Sequence, residues 1–174
     1  MKFTELFGNL FLTGTATWAL LTTKSSFQYD SLSYSFFLSV GISRFLANLA
    51  NNPRVTRFTK TKSQNSLAFA TALLSTEFCL VAGMDKTLAS SNLLLPLLNL
   101  LTKRKDDEKM LETSRWYSTV LLLCASNTHD LKIGYVLTFI LLLTDPKVSN
   151  FSAYIMAASI ILAVPSLNAL KQLS

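Results

Sequence analysis

Apolar residues in this chain come in seven runs, at about residues 5–23, 31–50, 66–84, 87–102, 116–128, 131–144 and 149–169, parted by short polar breaks. A helix that crosses the ~30 Å hydrocarbon core of a bilayer needs about 20 mostly apolar residues. By that measure the first three runs and the last are long enough, and the middle three are short. The spacing predicts an all-α, polytopic transmembrane helical bundle of six or seven spans with short loops. Residues 116–144 read as a helical hairpin broken at Asn127-Thr128-His129-Asp130 and Lys132. The competing architecture is an all-α globule with buried helices. Against it stand the stretches Leu93–Leu98 and Phe139–Leu143, which show no polar face recurring at the 3.6-residue period.

Composition agrees with lipid. Charged residues make up 15% of the 174, against about 25% in an ordinary globular domain. The length fits one domain, residues 1–174, with no linker. The formal charge of +6 could suit nucleic acid, but the basic residues gather at the ends of apolar runs instead of along one helix face. Counted alternately over seven spans, one side receives eleven Lys and Arg and the other four, with Arg44 inside a span. The positive-inside bias then predicts a cytosolic N-terminus. The segment before residue 5 has only Lys2, too little for the basic region of a cleaved signal peptide. Asn51-Asn52-Pro53 ends the second run and opens a basic loop at 51–65. Arg54, Arg57, Lys60 and Lys62 in that loop, with Lys103, Arg104 and Lys105 in the loop at 103–115, are candidate contacts to anionic lipid headgroups. Each basic residue near such a surface is worth about 1 kcal/mol.

Two full charges stand inside apolar runs, Arg44 and Glu77. Such a charge costs ~2.5–3.5 kcal/mol at the centre of a span and has to face protein, water or a partner. The two helices adjoin the same loop, so an Arg44–Glu77 ion pair is the expected arrangement; snorkelling of Arg44 to the cytosolic interface and a proton or cation relay at Glu77 are the alternatives. Small residues recur every fourth position at Ser31, Ser35, Ser39, Ser43 and Ala47, at Ala68, Ala72 and Thr76, and at Ala153 and Ala157. Residues four apart share a helix face, and small ones let backbones approach, so these stripes are the expected helix-packing faces. Asn9, Asn48, Asn92 and Asn99 add hydrogen-bonding groups within the runs, and Pro96 and Pro165 are expected to kink their helices.

Signs of catalysis are sparse. His129 is the one histidine, and with Asp130 it forms the single acid/base pair to consider, at a hairpin turn. Cys79 and Cys124 each lie inside an apolar run without CxxC spacing, which supports neither a disulfide framework nor a zinc site. The sequon Asn150-Phe151-Ser152 sits too near a span, on the side assigned to the cytosol, for glycosylation. With 5 Gly there is no phosphate-cradling loop. Neither a metal nor a cofactor is expected. The reading is a non-enzymatic accessory or scaffold subunit of an endomembrane complex, in the endoplasmic reticulum or nuclear envelope. Its expected partners are membrane lipids and other integral membrane proteins, and nucleic acid is not among them. The alternative class is a small lipid- or ion-handling transporter using Arg44 and Glu77.

Overall fold

The computed structural model describes residues 3–23, 29–50, 52–102, 107–128, 131–142 and 152–173. Among them are eight helices: α1 (Phe3–Thr22), α2 (Tyr29–Ala50), α3 (Pro53–Val81), α4 (Lys86–Ser91), α5 (Leu94–Thr102), α6 (Asp107–Thr128), α7 (Lys132–Leu142) and α8 (Ser152–Leu173). Six of them close a ring in which each touches the next, in the order α1, α2, α3, α6, α7, α8 and back to α1. A smaller contact between α3 and α8 crosses the ring, while α4 and α5 lie against α3, and α5 also against α6.

The core explains the role of α8. Ala153, Met156, Ala157, Ile160, Ala163, Val164 and Leu167 all enter one buried cluster, together with Leu12 of α1, Phe37 of α2, Phe78 of α3, Leu122 of α6 and Leu137 of α7. The α8 positions follow the three-and-four spacing of one helix face. Burial of side chains such as Phe37 and Phe78, 0% and 1% exposed, stabilises the fold by roughly 1.5–3 kcal/mol each.

This architecture overturns the multi-pass membrane reading of six or seven spans. Among the described residues one helix is long and apolar enough to cross a membrane, Ser152–Gln172, and half of its apolar window is buried inside the bundle. Several of the others fail for visible reasons. The helices α4, α5 and α7 have 6, 9 and 11 residues, so even α7 extends only about 16 Å at 1.5 Å per residue. The residues from 53 to 65, expected as loop, form the first turns of α3, which therefore carries Arg54, Arg57, Lys60 and Lys62 within one 29-residue helix. In α6, Asp107, Glu108, Lys109, Glu112 and Arg115 occupy the first turns. Counting apolar residues in runs missed this because a run does not reveal which face of a helix they occupy, and a polar stretch can still be helical.

Local signals place the ends. Asn52 caps α3, its side chain accepting from the Arg54 N–H at 3.0 Å, and Pro53 takes the first helical position, where no N–H is needed. Gly83, with φ 86°, ends α3 in a left-handed turn in which the Gly83 N–H donates to Leu80 and the Met84 N–H to Cys79. Asp85 then caps α4, its Oδ1 accepting from the N–H groups of Thr87 and Leu88 at 2.9 and 3.1 Å. Pro96 is the third residue of α5, so it helps to start a helix, whereas Pro165 lies inside α8.

Candidate functional site

The sharp corner at Asn52-Pro53 makes α2 and α3 an antiparallel hairpin, in which residues equidistant from the corner lie side by side. Two cross-hairpin bonds show the register: the Ser33 hydroxyl donates to the Ala70 carbonyl at 2.7 Å, and Arg44 Nε donates to Ser63 Oγ at 2.9 Å. The same register sets Asp30, in the first turn of α2, beside Glu77 near the end of α3. Lys171, in the last turn of α8, reaches both: its Nζ is 2.8 Å from Asp30 Oδ2 and 2.8 Å from Glu77 Oε1. The Asp30 and Glu77 side chains are 2% and 6% exposed and that of Lys171 is 23% exposed. Asp30 is also held by the Ser31 N–H, donating to Oδ1 at 2.6 Å. An acid in a helix's first turn and a base in another's last turn both complement their helix dipoles.

Arg44 and Glu77, expected as partners, are thus apart. Glu77 lies fourteen residues beyond Ser63 on α3, about 21 Å at 1.5 Å per residue. Counted from a loop ending at residue 65 the two charges lie at similar depth, but the corner is at residue 52, which sets Glu77 about twice as far along α3. Asp30 and Lys171 were missed because each stood at the rim of an apolar run, where a charge draws no notice. Measuring from Asn52-Pro53 would have placed Asp30 opposite Glu77.

Burial acts on the ionisable groups here. It pushes the Tyr34 hydroxyl well above the usual tyrosine range, and the charges of Asp30 and Glu77 push it further the same way. For Lys171 burial favours the neutral amine, but hydrogen bonds to Asp30 and Glu77 and the charges of both outweigh it and raise the ammonium above its ordinary value. Burial pulls the half-buried Arg44 guanidinium down, with Glu5 opposing and Arg115 adding to the effect. The Cys79 thiol is pushed up to about 11 by burial, against a hydrogen bond with Ser75 and with a smaller contribution from Cys124. The raised Lys171 value predicts a pH effect. A base whose folded pKa is raised contributes stability that is complete below its unfolded value, ~10.4 for lysine, and lost as pH climbs through the folded value. Thermal melts from pH 8 to 12 should therefore fall on the alkaline side, and the fall should be shallower in Lys171→Met. Equal slopes would remove Lys171 from the cause.

A second polar group ties α3, α4 and α6 together. Asn92, 0% exposed, donates to the Ala72 carbonyl at 3.0 Å and accepts from Ser118 Oγ at 2.8 Å, while Ser75 Oγ donates to the Ser118 carbonyl at 2.9 Å. Asn9 and Asn99 are buried as well, and Asn48 is half-buried. The small-residue stripes divide. Ala47, Ala68, Ala72, Thr76, Ala153 and Ala157 are buried, whereas Ser35, Ser39 and Ser43 are exposed, Ser35 and Ser39 bonding back to carbonyls of their own helix. Of the basic residues, Arg54 and Lys62 are exposed side chains on α3. Arg57 and Lys60 belong to the same helix, and Lys103, Arg104, Lys105, His129 and Asp130 lie outside the described residues. Cys124 is exposed and Cys79 buried, and neither is in a disulfide. Among the described residues no group of three or more His, Cys, Asp or Glu could hold a metal ion.

The outer surface is where apolar residues concentrate. On α1, Phe7, Leu10, Phe11 and Trp18 are 44–51% exposed. With Gly14, Thr15 and Ile161 of α8 they line an open groove of about 580 Å³. Similar exposed stripes run along α5 (Leu94, Leu97, Leu98, Leu101) and α6 (Trp116, Val120, Leu123). No family model, no curated protein and no solved structure matches the chain.

Proposed function

We propose that this chain is a non-enzymatic accessory or scaffold subunit of an endomembrane complex, which covers its outward apolar stripes with the helices of partner membrane proteins. The observation that carries the reading is the apolar character of the outer surface, beside a core that also takes in polar groups. Serine, threonine, asparagine and carboxylate groups are buried, while large aromatic and aliphatic side chains recur at helical spacing on the outside of α1, α5 and α6. Contiguous exposed apolar surface beyond a few hundred Å² marks an interaction site. The groove on α1 is the best-formed part of that surface. Gly14 is a notch at its centre, where an added Cβ would meet nothing within 4 Å, so another backbone can come close there.

The test is extraction in mild detergent, with a photo-crosslinker placed at Phe11 and a control at exposed Ser35. The expected result is one partner linked in stoichiometric yield from Phe11 and lost on Trp18→Glu. That substitution, on an exposed position, should change stability by no more than about 0.5 kcal/mol. Equal linking from both positions, or a lone monomer in every extract, would refute the reading.

A further inference from the structure

Among the described residues, the Asp30–Lys171–Glu77 cluster has more carboxylates than ammonium groups. Two carboxylates, in residues 1% and 5% exposed, face one ammonium, which in ionised form leaves a formal excess of one negative charge. Buried charge is retained only when it is paired or coordinated. Among the described residues, α2, α3 and α8 bring Asp30, Glu77 and Lys171 respectively to this point; Arg44 bonds to Ser63, farther along the hairpin.

A separate observation comes from Tyr34. It is 1% exposed, and its hydroxyl is buried with no hydrogen-bond partner. Tyr34 stands four residues after Asp30, on the same face of α2. Long helical side chains lean toward the helix N-terminus, which aims this hydroxyl back at the level of Asp30 and Glu77. That the charges of both carboxylates reach the hydroxyl agrees with this placement. Three oxygen groups, two carboxylates and one phenol, are therefore gathered at one end of α2. An ammonium has three donors in a fan, which matches three such acceptors. Lys171 arrives from the end of α8, and with its stem fixed there it leaves the phenol without a partner.

We propose that Asp30, Glu77 and Tyr34 form a binding site for a small primary ammonium group, and that the Lys171 side chain is its tethered occupant. Entry follows from the position of Lys171. It lies in a helix's last turn, the part that frays most readily, and it is the only one of the three ion-pair members with substantial exposure. A free ammonium has no stem to fix its depth, so it is not held to the position that Lys171 takes.

The experiment is chemical complementation of Lys171→Ala in the full chain, read as thermal stability at constant ionic strength with methylammonium, sodium or tetramethylammonium chloride. Methylammonium should raise the Tm saturably, as a ligand that binds only the folded form does, and tetramethylammonium, which has no N–H, should not. Tyr34→Phe in the same background should weaken the methylammonium effect about tenfold, the scale of one hydrogen bond to a charged group. Asp30→Asn should abolish it. Equal shifts with all three salts would overturn the site, and so would no shift with any of them. A sodium effect as large as that of methylammonium would overturn the ammonium assignment. Where Lys171→Ala does not fold, Lys171→Gln keeps the stem volume and serves for the same titration. Loss of the Phe11 crosslink would leave these outcomes unaffected, since the groove and the charge cluster share no residue.

Discussion

Replacing Lys171 by methionine should lower stability by about 3–5 kcal/mol, the usual cost of breaking a buried ion pair from one side. The methionine fills most of the lysine stem's volume, so packing changes little. What changes is that Asp30 and Glu77, each 2.8 Å from the same ammonium, lose the cation that offsets their desolvation. Urea unfolding should show a lower midpoint at unchanged slope. Adding Asp30→Asn and Glu77→Gln should recover most of the loss, because neutral amides of the same shape no longer need a counter-charge. Arg44→Met is the internal comparison. Arg44 donates to a serine hydroxyl at 2.9 Å instead of a carboxylate, so removing it strands no buried charge and should cost about 1–2 kcal/mol. Equal costs at the two positions would show that charge pairing is not what holds α8 to the hairpin.

The second large effect is expected at Gly134, where α7 crosses α6. A methyl group there would overlap the Ser126 hydroxyl, lie 2.8 Å from Ser126 Cβ and 3.2 Å from Cε1 of Phe78. The hydroxyl is itself engaged, donating to the Leu122 carbonyl at 2.6 Å, and Ser126 is 0% exposed. Alanine gains about 1 kcal/mol of helix propensity over glycine, but forcing these helices apart costs ~1–3 kcal/mol of packing, with the Ser126 backbone-anchored Cβ unable to rotate away. Gly134→Ala should thus destabilise by up to about 2 kcal/mol, and the loss should shrink in a Ser126→Gly background. A double-mutant cycle would show this as a coupling of more than ~0.5 kcal/mol, and strict additivity would contradict the proposed clash.

Much of the helical layout could be read from the amino-acid order. The first run, 5–23, became α1 at Phe3–Thr22, the second, 31–50, became α2 at Tyr29–Ala50, and the last, 149–169, became α8 at Ser152–Leu173. The third run failed at its start. Residues 53–65 contain almost no apolar pattern, and helix there is favoured by the Asn52 cap, by Pro53 and by the interior contacts of Ser63 and Leu67, which are 4% and 3% exposed. The run at 87–102 divided into α4 and α5 around Asn92, whose side chain is used up bridging α3 and α6. The larger error was to treat every apolar run as facing lipid. In α8 half of the run faces protein, and nothing in an apolar stretch distinguishes those two surroundings. Within the site, the isolated charges at Arg44 and Glu77 were visible as costly positions. Their partners were not, because partnership depended on where the hairpin turned.

The place of α8 in chain order has a bearing on how the molecule is made. Seven members of the central cluster lie on α8, which follows the other described helices, and its neighbours α1 and α3 emerge from the ribosome long before it. A nascent chain that has not yet passed residue 152 lacks the α8 share of that cluster, so Leu12, Phe37, Phe78, Leu122 and Leu137 on the earlier helices are without part of their packing. Packing of the central cluster therefore waits for translation to deliver α8, and until then the earlier helices expose apolar surface to chaperones and to the wrong neighbours.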